Sequence, residues 1–571
     1  MPANAAAADL TARFRPVGAE PEPLEAGALG RLLLETTRPL FVVRRGERLF
    51  IACSGAVTLA PASEGGSEGL PLVAWIPPLH PASLGDPAFR AAYGLRYAYV
   101  VGEMANAITS VRMVQEAGGA GMIGFFGAGG LPPAEVEEAI DALQRTHPRI
   151  PFGVNLIHSP GNPELEYRLA EIFLARGVTV ASASAFVEPT PALSLFRLRG
   201  IHRRPDGSVV CPNRLIAKVS RVEVARRFLA PPPARHLELL VRRGALGPQE
   251  AELAVHVPLA EDLTAEADSG GHTDNRPAIA LFPTILALRD DCRREHGYAH
   301  LPRVGLAGGI ATPLSAAAAF AMGAAFVLAG SVHQGCVEAG TSEAVCRLLA
   351  EAGQADVAMA PSADMFELGV KVQVLKRGTM FPQRAARLYE LFTAHERWEE
   401  IPERQRAILE KDFFRRSFEE EWEATRVFFR ERDPRQIESA ERNPRHKMAL
   451  VFRSYLGRSS HWAIEGEPSR RMDYQIWCGP AMGAFNQWAK GSFLEDPAER
   501  RTVTVAANLL FGAAVAVRTS WLRSQGVLVP PEAAALRPLR LDRIEALLGP
   551  GSFTPAGTPG ELPSGGGSVK G

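Results

Sequence analysis

Several residues in this 571-residue sequence sit where their types and spacing could do chemistry. Gly305-Leu306-Ala307-Gly308-Gly309-Ile310 and Ala329-Gly330-Ser331 each close a short apolar run. Such glycines let backbone N–H groups approach an anion closely, a phosphate above all. They equally permit a tight strand-to-helix turn, so the anion reading rests on two such loops occurring together. Glu266-Ala267-Asp268-Ser269-Gly270-Gly271-His272-Thr273-Asp274-Asn275-Arg276-Pro277 places His272 behind Gly270 and Gly271. An imidazole there can carry a proton near neutral pH, although a lone His more often serves the structure. Lys218 lies inside the apolar run 215–219, where an unpaired ammonium is costly to bury. Something anionic must meet it: the negatively charged edge of a ligand, or the carboxylate of Glu266 or Asp268. Asn155, within Phe152-Gly153-Val154-Asn155-Leu156-Ile157-His158, can hydrogen-bond a ligand carbonyl or hydroxyl, or cap its own loop. Gly124, Gly127, Gly129 and Gly130 superficially match a dinucleotide-binding loop, but their spacing is wrong and no acidic residue closes the unit.

The elements that must position these residues repeat one rhythm from residue 97 onward: a β-rich apolar run, a loop bearing Gly, Asn or Ser, then a helix-period segment. The runs are 97–102, 121–126, 151–156, 178–184, 214–219, 263–267, 303–307 and 325–330. Eight parallel strands buried on both faces favour a closed (β/α)8 TIM barrel, an α/β fold without edges, over a doubly wound open sheet. Its active site belongs at the C-terminal ends of the strands, and the loops after the seventh and eighth are the usual phosphate grip of this fold.

Residues 1–90 read as a small N-terminal cap, with a hairpin at 41–53 around Arg45-Gly46 and an irregular Pro-rich stretch at 77–87. The barrel, with insertions, is assigned to 91–381. Residues 382–549 read as a mostly helical C-terminal region punctuated by Pro402, Pro434, Pro444 and Pro497, and 550–571 as a disordered tail rich in Gly, Pro and Ser.

Lys plus Arg (63) balance Asp plus Glu (63), so no overall field favours nucleic acid or an anionic membrane. The six cysteines contain no Cys-x-x-Cys pair, which predicts free thiols, no metal site and a cytoplasmic location. Residues 1–15 include Asp9 and lack a continuous apolar core, unlike a secretory signal. The Ala- and Gly-rich stretch 316–329 reads as a barrel helix turning into a strand, and no transmembrane segment is assigned.

With Gly308-Gly309, Gly330-Ser331 and Gly270-Gly271-His272 in place, the sequence resembles the nitronate monooxygenase superfamily of FMN barrels. Within it, NLIHSP (155–160), residues 266–277, AMAPSADMFELGVKVQ (358–373), LKRGTMFP (375–382) and DYQIWCGPAMGAFN (473–486) resemble PfaD-type trans-acting enoyl reductases of polyketide and polyunsaturated fatty acid synthases. The resemblance spans about 77–525. It implies reduction of the 2,3 double bond of an enoyl thioester carried on an acyl carrier protein, with FMN bound and NADPH or NADH as hydride donor. It implies too that Met104 and Asn155 border the flavin ring, that Lys218 meets its N1–C2=O edge, that Gly308, Gly309, Gly330 and Ser331 hold the phosphate, and that Gly270 and Gly271 also belong to the cofactor site. His272 beside the ring is the expected proton donor, and His272 and Lys218 are the expected catalytic residues.

Two positions depart from the family pattern. Glu103 stands before Met104-Ala105 where a small residue is usual, and His333 stands where Asn is expected. A carboxylate facing the flavin would disfavour its anionic reduced form. Arg242-Arg243, Arg415-Arg416 and Arg470-Arg471 are candidates for steering an acidic carrier protein, and a homodimer is an assembly open to the chain. Nitronate oxidation by the same barrel and a flavin-free docking component of the synthase are the alternatives. A barrel resembling inosine monophosphate dehydrogenase is disfavoured, because no Cys follows the sixth run.

Overall fold

The computed structural model describes residues 10–61, 69–146 and 149–553. Eight parallel strands close into a barrel: Tyr99–Val101, Ile123–Phe126, Phe152–Ile157, Val180–Ser184, Arg214–Val219, Asp262–Glu266, Arg303–Ala307 and Val327–Ala329. We number them barrel strands 1 to 8. Each overlaps one of the eight apolar runs, and strand 8 returns to strand 1 through the pairs Val327 with Tyr99 and Ala329 with Val101. Apolar residues on both faces of these short strands leave the ring as the arrangement that satisfies every ladder hydrogen bond.

The lower end of the barrel is closed by helix Pro87–Tyr93. Buried Asp262 accepts from Tyr93 Oη at 2.6 Å and Arg303 Nε at 2.6 Å, while the Arg303 guanidinium lies over the Phe89 and Tyr93 rings. This pairing offsets part of the cost of burying a carboxylate inside the barrel and leaves the opposite end for chemistry. A surface concavity lined by Asp290, Arg293 and Tyr298 follows the last turn of helix Ala278–His296 and lies at that lower end too.

The N-terminal cap is a six-stranded sheet with one helix, Ala26–Leu34, and includes the expected hairpin, Leu40–Arg45 with Arg48–Ala52. Its anchor is helix Thr502–Ser524: Gln525 hydrogen-bonds both the N–H and the C=O of Trp75, and buried Arg518 donates to the Glu35 carbonyl at 2.6 Å. By length and composition this helix could cross a membrane, but 89% of its most apolar window is buried in the protein. A Cβ on Gly512 would lie 2.6 Å from Pro313 Cγ, so the glycine permits close contact with helix Pro313–Ala321.

Among the apolar clusters of the described residues, two run across the boundaries expected at 381 and 549. One contains Val372, Val374, Phe381, Phe414 and Leu456, which joins hairpin Val357–Pro361/Lys371–Leu375 to the helices that follow. The other holds the barrel together with Tyr474, Cys478, Leu509 and Phe553. The first residues of the segment expected as a tail are packed on the barrel. Phe553 is buried and stacks on Tyr97 at 4.5 Å, and the Ser552 carbonyl accepts from Tyr97 Oη. An aromatic side chain among small polar residues found a partner that local composition does not reveal. The rest of that segment, from 554 on, lies outside the described residues.

Candidate active site

The upper ends of barrel strands 5 to 8 and 1 enclose a cleft. Gly308 and Gly309 both adopt left-handed backbone (φ +82° and +78°), but for different reasons. A Cβ on Gly308 would lie 2.6 Å from the Ala267 carbonyl carbon, so that glycine allows two loops to touch. A Cβ on Gly309 would meet nothing within 4 Å, and Gly309 lines the cleft. It therefore leaves a cradle that any side chain would partly fill. Beside it Gly330 precedes a single helical turn, Ser331–Gln334, and Gly330, Ser331 and Gln334 line the same space. The backbone and hydroxyl donors of these two loops suit a phosphate.

Lys218 projects from strand 5 between two carboxylates, with Nζ 2.9 Å from Glu266 Oε1 and 3.5 Å from Glu103 Oε1. Burial opposes the Lys218 charge, yet Glu103 and Glu266 outweigh it and hold the ammonium above its ordinary range. Asp268, the other partner considered for Lys218, is engaged by Asn275 Nδ2 and Gln373 Nε2 instead. Glu103 lines the cleft, accepts from Ser184 Oγ at 2.6 Å, and keeps its second oxygen, Oε2, buried without a partner. Asn155 is buried behind it, donating to Ser182 Oγ at 3.1 Å and Ser184 Oγ at 2.9 Å. It does not line the cleft and reaches it only through the Ser184–Glu103 link.

Met104, Lys218, Gly270, Gly308, Gly309, Gly330 and Ser331 thus meet at one cleft. Gly271 and His272 stand just behind it in a two-residue strand paired with Lys371–Leu375. The imidazole is 31% exposed and turned toward Asp364, Nε2 to Oδ2 3.3 Å, at an angle that leaves the nitrogen short of a good hydrogen bond. Burial works against the His272 charge, but Asp364 raises its proton affinity above the ordinary value. Asp364 therefore favours the protonated form of the ring behind the cleft.

Residues 395–474 match the family described as acyl-carrier-protein S-malonyltransferase, inserted helical domain. A component of the polyunsaturated fatty acid synthase of Thraustochytrium sp. is 47% identical over 448 residues, 77% of this chain and 30% of that protein. Polyketide biosynthesis protein PksE of Bacillus subtilis is 45% identical over 434 residues, 76% of this chain and 56% of that protein. The chain spans between 22% and 56% of the length of the curated relatives it matches. The crystal structure of the enoyl reductase domain of MlnA, from the macrolactin biosynthesis cluster of Bacillus amyloliquefaciens, is 38% identical with a TM-score of 0.74, covering 78% of this chain and 99% of that one. The chain belongs to the PfaD-type enoyl reductase family.

Against that family the two departures acquire places. Glu103 faces inward on Lys218. His333 is fully buried, 2.7 Å from Tyr99 Oη through Nε2, and burial pushes it down to about 3, so it is a neutral link between strand 1 and the turn after strand 8. The family motif around Trp477 also gains a position. Trp477 and Ala481 line the cleft, Val374 and Trp477 form a β-bridge, and a Cβ on Gly270 would lie 2.9 Å from Cys478 N. A Cβ on Gly479 would lie 2.8 Å from Gly270 N, so two backbones pack with no room for side chains. The motif was visible in sequence, but nothing local showed that it crosses to the barrel mouth. Ser269 and Gln334 were missed for the same reason. His158 of NLIHSP stands 2.7 Å from buried Glu166 at the upper end of strand 3, an orientation its spacing did not reveal.

The discounted glycines have a packing role: a Cβ on Gly127 would lie 1.8 Å from the Met104 carbonyl, and one on Gly130 2.1 Å from Asn106 Oδ1. They fit the second loop against the first, whose Asn106 and Ala107 adopt positive φ. Of the arginine pairs, Arg470 is buried and donates to the Phe413 and Phe414 carbonyls and Asp473, and Arg416 is paired with buried Glu421. Neither can steer a partner, because each is already committed to holding the helices together.

Proposed function

We propose that this chain reduces the 2,3 double bond of enoyl thioesters presented on an acyl carrier protein, acting in trans, with FMN in the cleft and NADPH or NADH as hydride donor. The observation that carries the reading is the open glycine cradle at Gly309, beside Gly330-Ser331 and facing Lys218 across one cleft. A flavin held there would supply the hydride chemistry that links a nicotinamide to Cβ of the substrate.

The chain's own residues do the rest. Backbone N–H groups at Gly309 and Gly330, with Ser331, bind the phosphate. Lys218 supplies positive charge to the electron-rich edge of the ring, Met104 and Trp477 wall the cleft against water, and His272 keeps a proton for Cα. An acidic carrier protein is the partner this reading requires.

The test is the visible spectrum of the purified protein under anaerobic conditions. Flavin bands that bleach with NADPH and return on addition of a crotonyl thioester, on a carrier protein or a pantetheine mimic, are the expected result. Bands restored only by oxygen or a nitronate would move the chain to nitronate oxidation. A protein that is colourless and cannot be reconstituted with FMN would leave a docking barrel.

A further inference from the structure

We propose that Glu103 is a positioning residue that acts on Lys218 and holds down the reduction potential of the flavin; this rests on the reading that the cleft binds FMN. Glu103 belongs to the loop after strand 1, its side chain is 3% exposed, and it lines the cleft next to Met104. Glu103, Lys218 and Glu266 form a cluster of two carboxylates and one ammonium, with separations of 3.5 and 2.9 Å from the lysine nitrogen. In their charged forms they give this wall one net negative charge.

Ser184 Oγ and Lys218 Nζ both meet Glu103 Oε1, whereas Oε2 is buried with no donor. A buried carboxylate oxygen without a donor is unfavourable, so this carboxylate is held by Ser184 and Lys218 through one oxygen alone. The other charged groups nearby offer no relief: His272 is matched by Asp364, and Asp268 by the amides of Asn275 and Gln373.

Reduction adds negative charge to the flavin. With its field shared between two carboxylates, Lys218 stabilises that charge less than a lone lysine would, and the charge of the Glu103 carboxylate opposes it. A small residue at this position would leave Lys218 answered by Glu266 alone.

The test is the midpoint potential of the flavin-loaded protein, measured by equilibration with reference dyes, together with the Kd for FMN. Glu103→Gln keeps the shape and removes the charge. It should favour the reduced state at least tenfold, about 30 mV for a two-electron couple, with the Kd changed less than threefold. Glu103→Ala, which places no amide against Lys218, should move the potential the same way, and Glu103→Asp should stay near wild type. A potential that is unmoved or lower in both the Gln and Ala variants overturns the proposal while leaving FMN binding intact. A wild-type protein that takes up no flavin overturns the functional reading, and this inference falls with it.

Discussion

Gly309→Ala separates the phosphate cradle from ordinary turn geometry. Gly309 has φ +78° and open space where a Cβ would project, so an alanine incurs the left-handed backbone penalty without a clash. That penalty is roughly 1–2 kcal/mol, which in a fold this large lowers Tm by only a few degrees. The added methyl enters the space assigned to the phosphate. Losing two charge-assisted hydrogen bonds at about 1.5–3 kcal/mol each would cost ~3–6 kcal/mol, which weakens FMN binding by a factor of roughly 10² to 10⁴. Fluorescence titration with FMN and with riboflavin, which lacks the phosphate, gives the decisive readout. Wild type should prefer FMN strongly, and the variant should bind the two alike, with its riboflavin affinity near that of wild type. A variant that keeps the full wild-type preference for FMN refutes the placement of the phosphate at Gly309. Gly308→Ala makes a poor substitute, because its Cβ would strike the Ala267 backbone at 2.6 Å and shift the loop whatever the ligand.

Lys218→Met leaves Glu103 and Glu266 facing each other without their cation and should cost about 3–5 kcal/mol in denaturant unfolding, with Glu103→Gln in the same chain recovering part of it. Loss of less than 1 kcal/mol would show that the carboxylates are not held charged by this lysine. The His272–Asp364 pair predicts a pH window. The raised His272 contributes stability that is full below its unfolded value of about 6.5 and is lost as pH rises through the folded value, while the lowered Asp364 contributes stability that is full above its unfolded value of about 3.9 and is lost as pH falls through its folded value. Asp364→Asn should therefore destabilise most between about pH 4 and 6.5, by less than ~1 kcal/mol because both groups are partly exposed, and a larger loss at pH 8.5 would contradict this. Trp477 lines the cleft, so FMN should quench its fluorescence, and Trp477→Phe should remove much of that quench; an unchanged quench would place the ring elsewhere.

The barrel was legible because its strands are buried on both faces, which writes apolar runs such as 121–126 and 303–307 directly into the chain. The cleft glycines were legible for a related reason: Gly308-Gly309 and Gly330-Ser331 follow the strands whose loops face a ligand in this fold. Lys218 announced an anion, since no apolar strand carries a lysine without one, but which carboxylate would meet it depended on the loop after strand 1. The direction of the His272 ring was hidden because Asp364 comes from a hairpin much later in sequence. Phe553 was hidden in a stretch of Gly, Pro and Ser, and the anchoring of the cap on Thr502–Ser524 depended on Gln525 and Arg518, single polar residues on an apolar helix. Periodicity reports what one element buries. It does not report which distant element does the burying.

The backbone contact of Gly270 with Cys478 and Gly479 bears on the order in which this protein comes into being on the ribosome. Synthesis releases all eight strands of the ring, and Lys218 and Gly309 with them, well before Trp477 and Ala481 emerge. Until then the nascent cleft lacks one wall, and a ligand loaded early would face solvent on that side. Stable loading therefore follows the emergence of Trp477 and Ala481, and a gene cut after strand 8 would encode a ring with an open pocket.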